Sequence, residues 1–391
     1  MINETAFSLG DQRSVIRELF EYGLSRAAIV GPENVFDYSL GNPSIPSPPQ
    51  INAAICQILE DTDPLQVHGY TPGIGSPQTR QAIADDLNNR YGTDIAAGEL
   101  FIGCGAAPEL VAVFRALTVP GARILAIAPF FPEYRPWVEA AGAVLDIVPP
   151  DVPDFQIRIE SVAAMLTPET VAVIVNSPNN PSGCVYTRQS LQALAKLLSE
   201  KSREFGHPIY IVSDEPYREL VYDGVEVPFL PAIYPDTVVC YSYSKCLSLP
   251  GERIGYIYVP RQATDSKKLY AAIAGAARAF GHVCAPSLWQ QVICRCTHLR
   301  PDLDAYDKNR RALYDGLTAA GYTVAKPDGA FYLFVKAPGG DAVAFSEKAK
   351  QLDLLIVPGD SFGCPGYFRL CYCVKYETIQ KSLPLFRKLL T

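Results

Sequence analysis

Residues 171–216 read VAVIVNSPNNPSGCVYTRQSLQALAKLLSEKSREFGHPIYIVSDEP. Two short apolar runs rich in β-branched residues, VAVIV and PIYIV, each end in polar residues, and the intervening TRQSLQALAKLLSE spaces its apolar residues as one helix face. A strand, a helix and a strand in succession form the unit of a parallel sheet. The same theme continues on both sides: FIGCGAA runs into PELVAVFRAL, RILAIAPFF into PEYRPWVEAAG, SDEP into YREL, and TVVCYSYSK follows. The expected fold is α/β, with a mostly parallel central sheet flanked by helices in a large domain over residues 45–285. Beyond residue 290 the pattern changes to a long helical stretch, DLDAYDKNRRALYDGLTAAG, followed by DGAFYLFV, FSEKAKQLDLLIVPG and YFRLCYCV. That text predicts a smaller α+β domain over 286–391, joined by an N-terminal arm over 1–44.

Bulk composition narrows the function. At 391 residues the chain exceeds the size at which one hydrophobic core keeps growing, so a large domain and a smaller one are expected. Hydrophobic residues make up 48% and charged residues 19%, the balance of a folded globular chain. A net charge of −7 and the lack of any basic run argue against nucleic-acid binding, which needs clustered Lys and Arg. Neither a basic, then apolar leader nor a run of about 18 apolar residues is present, so a cytoplasmic protein with no membrane partner is expected. The eleven cysteines show no C-x-x-C pair and suit reduced thiols. Cys294, Cys296 and His298 of ICRCTH lack a second ligand pair, and the cysteines are read as small buried hydrophobes, with no metal expected. Cys371 and Cys373 of RLCYCV alternate as one face of a strand.

Ligands of open parallel sheets bind at the carboxyl ends of the strands. Those ends carry Gly105 to Ala107, Phe130 and Phe131, Asn176 to Asn180, Asp214 with Tyr217, and Ser242 to Lys245. A solvated lysine is a protonated, poor nucleophile, but burial or neighbouring positive charge frees its amine for Schiff-base chemistry. Near Lys245, Ser242 and Ser244 supply hydroxyls and Arg253 a guanidinium, groups that suit a phosphate dianion. Ala106 and Ala107 stand where a strand meets a helix, whose first N–H groups also attract anions. Asp214 closes an apolar strand, so its carboxylate needs a cationic or proton-sharing partner, a protonated pyridine nitrogen being one. GCGAAP lacks the third glycine of a dinucleotide loop, and no G-K-[ST] occurs, which disfavours nucleotides.

Four motifs, HGYTPGIGSPQTRQAIA, NSPNNPSG, SDEPYREL and SYSKCLSLPGERIGY, stand in this order, with PGDSFG and YFRL near the end. In this the chain resembles, over nearly its whole length, the class I/II aminotransferases of the fold-type I pyridoxal-phosphate enzymes. The resemblance implies pyridoxal 5'-phosphate held as an aldimine by Lys245, which then shuttles the substrate Cα proton. It implies that Asp214 pairs with the pyridine nitrogen, that Tyr217 and Asn180 hydrogen-bond the ring oxygen, and that Phe131 stacks on the ring. Ser242, Ser244, Arg253 and the backbone of Ala106 and Ala107 would hold the phosphate. Arg369 would grip the substrate carboxylate beside Asn180 and the Gly41 backbone. Tyr70 of HGYTPG would reach the phosphate of a neighbouring subunit, implying a homodimer. Two positions depart from the family: Ala107 stands where a hydroxyl residue is frequent, and Glu252 of GERIGY where an apolar one is usual.

The implied reaction is a ping-pong transfer of an amino group from an L-amino acid to a 2-oxo acid. A β-elimination lyase acting on cystathionine-like thioethers shares the cofactor motifs, and a non-catalytic regulator shares the fold. The segment before Gly41 is too short for the DNA-binding domain that such a regulator carries. A dicarboxylate substrate needs one more cation, with Arg26, Arg278 and Lys336 among the candidates.

Overall fold

A computed structural model describes residues 2–11 and 14–390; Met1 and Thr391, the outer ends of the expected arm and C-terminal domain, lie outside the described residues, as do Gln12 and Arg13. Seven strands form the main sheet. Across it run Leu100–Gly103, Gly255–Tyr258, Thr237–Ser242, Tyr210–Asp214, Thr170–Asn176, Arg123–Ile127 and Val144–Val148. All neighbours pair in parallel except Gly255–Tyr258, which is antiparallel to both of its neighbours.

The apolar runs are continuous because both sheet faces are covered, which parallel sheets require. Ala172 and Ile174 pack with Leu110, Val113 and Ile273 on one side, while Val173 and Val175 pack with Leu191, Leu194 and Leu198 on the other. Val238 and Cys240 join the first layer, and Val239 and Tyr241 face Ile51, Ile83 and Val292. The helix Arg188–Phe205 starts at Thr187, whose hydroxyl accepts from the Ser190 amide at 3.1 Å, and stops at Gly206 in the left-handed region. The helix Ser287–Cys296 packs on the main sheet through Val292 and Ile293.

A three-stranded antiparallel sheet, Val357–Pro358, Tyr367–Cys371 and Tyr332–Lys336, forms a separate layer. Its core includes Leu333, Phe368 and Leu370, covered by Leu313, Leu317, Ile379 and Phe386 from the helices Leu303–Ala320 and Tyr376–Leu389. The N-terminal chain joins here, since Phe36–Asp37 pairs in parallel with Leu354–Leu355. One expected helix does not form. YREL after SDEP makes turns, because Val221 bridges to Gly329, and the Tyr222 amide and Leu220 carbonyl bond to Asp328 and Ala330. With its backbone groups satisfied across the fold, the segment needs no helical ladder.

Candidate active site

The strand ends of the main sheet and the small antiparallel sheet enclose a cavity of about 520 Å³. Gly41, Ala106, Ala107, Phe131, Asn180, Asp214, Tyr217, Ser242, Ser244, Lys245, Arg253 and Arg369 all line it. Tyr70 does not; it is 88% exposed on the surface of its own chain.

Lys245 lies on the one-turn helix Tyr243–Cys246 that follows the strand Thr237–Ser242. Its Nζ donates to the Gly41 carbonyl at 2.6 Å and sits 5.7 Å from the centre of the Phe331 ring. Burial lowers the ammonium below the usual lysine range, with the Arg253 and Arg369 charges pushing the same way against Cys373 and Cys371. Gly41 must lack a side chain, because a Cβ there would collide with the Tyr332 hydroxyl.

Asp214 ends its strand in full burial. Oδ2 accepts from the Tyr134 hydroxyl at 2.5 Å, while Oδ1 is buried with no hydrogen-bond partner. Burial pushes the carboxyl up to about 7; the Tyr134 bond opposes the rise and Glu215 adds to it. Such a carboxylate lacks one donor, and a ring N–H⁺ is a group that completes it. Asn176 holds this corner together, donating to the Asp214 carbonyl at 2.8 Å and accepting from the Asn180 amide at 2.8 Å. The Tyr217 hydroxyl lies 2.8 Å from that of Tyr332, and burial raises both phenols. Phe131 stands edge-on to Trp137 at 5.8 Å between ring centres.

The helix Ala106–Leu117 points its first amides into the cavity without a side-chain cap. Gly105 has φ 89°, and a Cβ there would stand 2.8 Å from Arg253 Nη2. Ser242 Oγ lies 2.6 Å from Ser244 Oγ, and Arg253 Nη1 donates to Ser244 Oγ at 3.5 Å. Arg253 itself has φ 52°, a left-handed conformation that costs a non-glycine residue about 1 kcal/mol. Hydroxyls, a guanidinium and a helix start therefore converge as an anion cup. Glu109, in the first turn of that helix, is fully enclosed, and burial holds it well above the usual carboxylate range. The rise favours the uncharged acid, which does not oppose a bound phosphate. Glu252 sits half-buried in the turn before Arg253, and nothing in the structure explains its charge.

Arg369 is 2% exposed in the middle of the small sheet. Its Nη1 donates to Asn180 Oδ1 at 3.0 Å and its Nη2 to the Ser39 carbonyl, while Nε is buried without a partner. The guanidinium stands 4.8 Å from the centre of the Tyr332 ring and 5.0 Å from that of Phe362. A buried, unneutralised guanidinium with a spare donor suits a carboxylate ligand.

Sequence reasoning missed Tyr134 and Tyr332, and the cavity wall formed by Ile16, Arg17 and Phe20 of the helix Val15–Val30; it listed Asn176 among the strand-end residues without giving it a role. The NSPNN motif contained the signal for Asn176. Of the cations considered for a second carboxylate, none lines the cavity: Arg26 binds Asp353 through two bonds, at 2.6 and 3.2 Å, and Arg278 and Lys336 lie elsewhere. Arg17 is the cavity cation that was not considered. Among the described residues no three His, Cys, Asp or Glu side chains gather as a metal site, and no helix is long and apolar enough to cross a membrane.

The residues present fit pyridoxal phosphate: an orphaned carboxylate oxygen, an anion cup and a lysine amine all face one cavity. Comparison with known proteins agrees. The profile described as "Aminotransferase class I and II" matches residues 33–383. The chain is 31% identical to the aspartate/prephenate aminotransferase of Thermus thermophilus, over 82% of this chain and 83% of that one. A crystal structure of an aminotransferase from Eubacterium rectale superposes with a TM-score of 0.98 at 53% identity, covering 100% of this chain and 98% of that one. The aspartate aminotransferase of Thermotoga maritima gives a TM-score of 0.87 at 26% identity, covering 100% of both chains. With the profile spanning most of its length and the fold that of type I, the chain belongs to the class I and II aminotransferases, pyridoxal-phosphate-dependent transaminases.

Proposed function

We propose that this transaminase moves the amino group of an L-amino acid to a 2-oxo acid in a ping-pong cycle carried by Lys245, Asp214, Tyr217 and Arg369. The observation that carries the reading is the unpartnered Oδ1 of Asp214 in the same cavity as the lowered ammonium of Lys245. Pyridoxal 5'-phosphate, when bound, supplies an aldehyde that takes up the amino group and a protonated ring that draws in electrons from Cα.

Each side chain then has a task. Ser242, Ser244, Arg253 and the amides of Ala106 and Ala107 hold the phosphate, and Phe131 supports the ring face. Asp214 keeps the ring nitrogen protonated, while Tyr217 and Asn180 orient the ring oxygen. Arg369, steadied by Asn180 and stacked on Tyr332, holds the α-carboxylate beside the Gly41 backbone. Lys245 Nζ, with burial and two nearby arginines favouring its neutral form, would take the proton from the substrate Cα and deliver it to the carbon of the cofactor's aldehyde group. The substrate side chain meets the wall of Ile16, Phe20, Leu40 and Trp137, with Arg17 at its rim.

The proposal includes a homodimer in which the exposed Tyr70 reaches the partner's phosphate, and a cytoplasmic location. It also includes a division into 1–44, 45–285 and 286–391, with the helix Ser287–Cys296 packed on the main sheet. The aminotransferase names of the relatives support transfer over β-elimination. Single-turnover absorbance of the pyridoxal-phosphate form against a panel of amino acids tests the reading. Each productive amino acid should change the visible band, and a 2-oxo acid should restore it. Ammonia and thiol released without an acceptor would replace the transaminase with the lyase.

A further inference from the structure

We propose that Cys371 and Cys373 are an oxidation site, in which a peroxide closes a disulfide between them and thereby moves Arg369. Both are free cysteines, and their sulfurs lie 2.8 Å apart. Arg369, Cys371 and Cys373 alternate along one chain segment and so share a face. That face looks toward the cavity: Arg369 lines it, and Cys373 Sγ lies 3.9 Å from the carbonyl oxygen of Leu40, another lining residue. Cys371 pairs in register with Tyr332, which carries the hydroxyl contact to Tyr217.

The surroundings select Cys371 as the attacking sulfur. Burial pushes its thiol up, but the hydrogen bond from Cys373 and the charges of Arg369 and Lys245 outweigh this and bring it below the usual range. Cys373 moves the opposite way and keeps its proton. Other buried thiols behave differently, with Cys184 and Cys364 both pushed up to about 12. Both paired sulfurs are nearly closed off from solvent, at 0% and 4% exposure, so the oxidant must be of water-like size, as hydrogen peroxide is.

The chemistry balances in two steps. The Cys371 thiolate attacks one peroxide oxygen, the O–O bond breaks, and the departing hydroxide takes a proton to leave as water, giving a sulfenic acid. The Cys373 thiol then attacks the Cys371 sulfur; the S–S bond forms, the S–O bond breaks and a second water leaves. Two electrons pass from the sulfurs to the peroxide. Closure draws the sulfurs together beside Lys245 and Arg369. It pulls on the strand that aims Arg369 and on the register partner that orients Tyr217.

The experiment uses the full chain loaded with pyridoxal phosphate and exposed to hydrogen peroxide, then denatured, alkylated with N-ethylmaleimide and digested with trypsin. Cleavage after Arg369 and Lys375 releases Leu370–Lys375, which carries both cysteines and no others. The expected product is this peptide without alkylation and about 2 Da lighter than the dithiol, restored by dithiothreitol. Turnover should fall about tenfold and recover with it. Cys373→Ser should give no lighter peptide and instead leave a dimedone-reactive Cys371. A doubly alkylated peptide at every peroxide dose that inactivates the enzyme would overturn the proposal. The mass readout stands apart from the transaminase reading and fails or succeeds independently of it.

Discussion

The floor of the cavity and its mouth are built on different principles. On the floor, Asp214, Tyr217, Asn180 and Arg369 are all buried, and each makes a hydrogen bond to another cavity or second-layer side chain. A charge or hydroxyl taken out of water must find such partners, so every floor residue constrains its neighbour. At the mouth, Arg17 is exposed, Ile16 and Phe20 are half-buried, and Leu40 is 39% exposed on the N-terminal segment. Ile16 is held there by apolar packing on Leu19, Val357 and Phe362, which fixes a side chain less strictly than a hydrogen bond does. The difference separates the reaction, held by the floor, from the choice of substrate, left to a surface that can vary without disturbing the chemistry.

That contrast can be broken by substitution. Lys245→Ala, which removes the amine from the floor, should lower turnover about 10⁴-fold, measured as the single-turnover rate of the visible band. A variant that still transaminates normally would end the floor-and-mouth account. Asp214→Asn acts next, through stability. In the cofactor-free protein the carboxyl rises from 3.8 to about 7, so the folded state holds a proton that the unfolded chain releases. Stability from this group is therefore lost as pH rises from about 4 to about 7, and the deficit is complete above pH 7. The Asn variant should exceed the wild type by up to about 4 kcal/mol in urea unfolding at pH 8 and by little at pH 4. The same variant should bind pyridoxal phosphate more weakly, and a pH-independent stability difference would remove Asp214 from the floor.

Arg369→Lys keeps the charge but loses the fork that meets both Asn180 and a carboxylate. Its kcat/KM should fall about 100-fold for every amino acid alike. Phe20→Ala has the smallest expected effect: turnover of the best substrate should change less than about threefold, while the ranking of aromatic against small amino acids shifts about tenfold. A uniform loss across substrates would place Phe20 with the floor instead.

The disposition of the site was legible unevenly, for physical reasons. Apolar runs, glycines and the positions after strands are local signals, so Gly105, Asp214 and Lys245 could be read from the chain as strand-end residues. Tyr134 could not, because its contact to Asp214 spans 80 residues and depends on which strands become neighbours. Tyr332 reaches Tyr217 across 115 residues, through a sheet whose order the local pattern does not state. YREL misled for the same reason: its helical composition was overridden by pairing with residues 328–330.

By itself, then, the amino-acid order determined the α/β class and which groups stand at strand ends, because both follow from short-range periodicity and sterics. It also placed Cys371 and Cys373 on one face. Only the tertiary structure decided that their sulfurs meet, that the N-terminal helix walls the cavity, and that Asp214 keeps one oxygen without a partner. Those outcomes depend on how distant segments pack, where burial and charge are set by neighbours that no local pattern names.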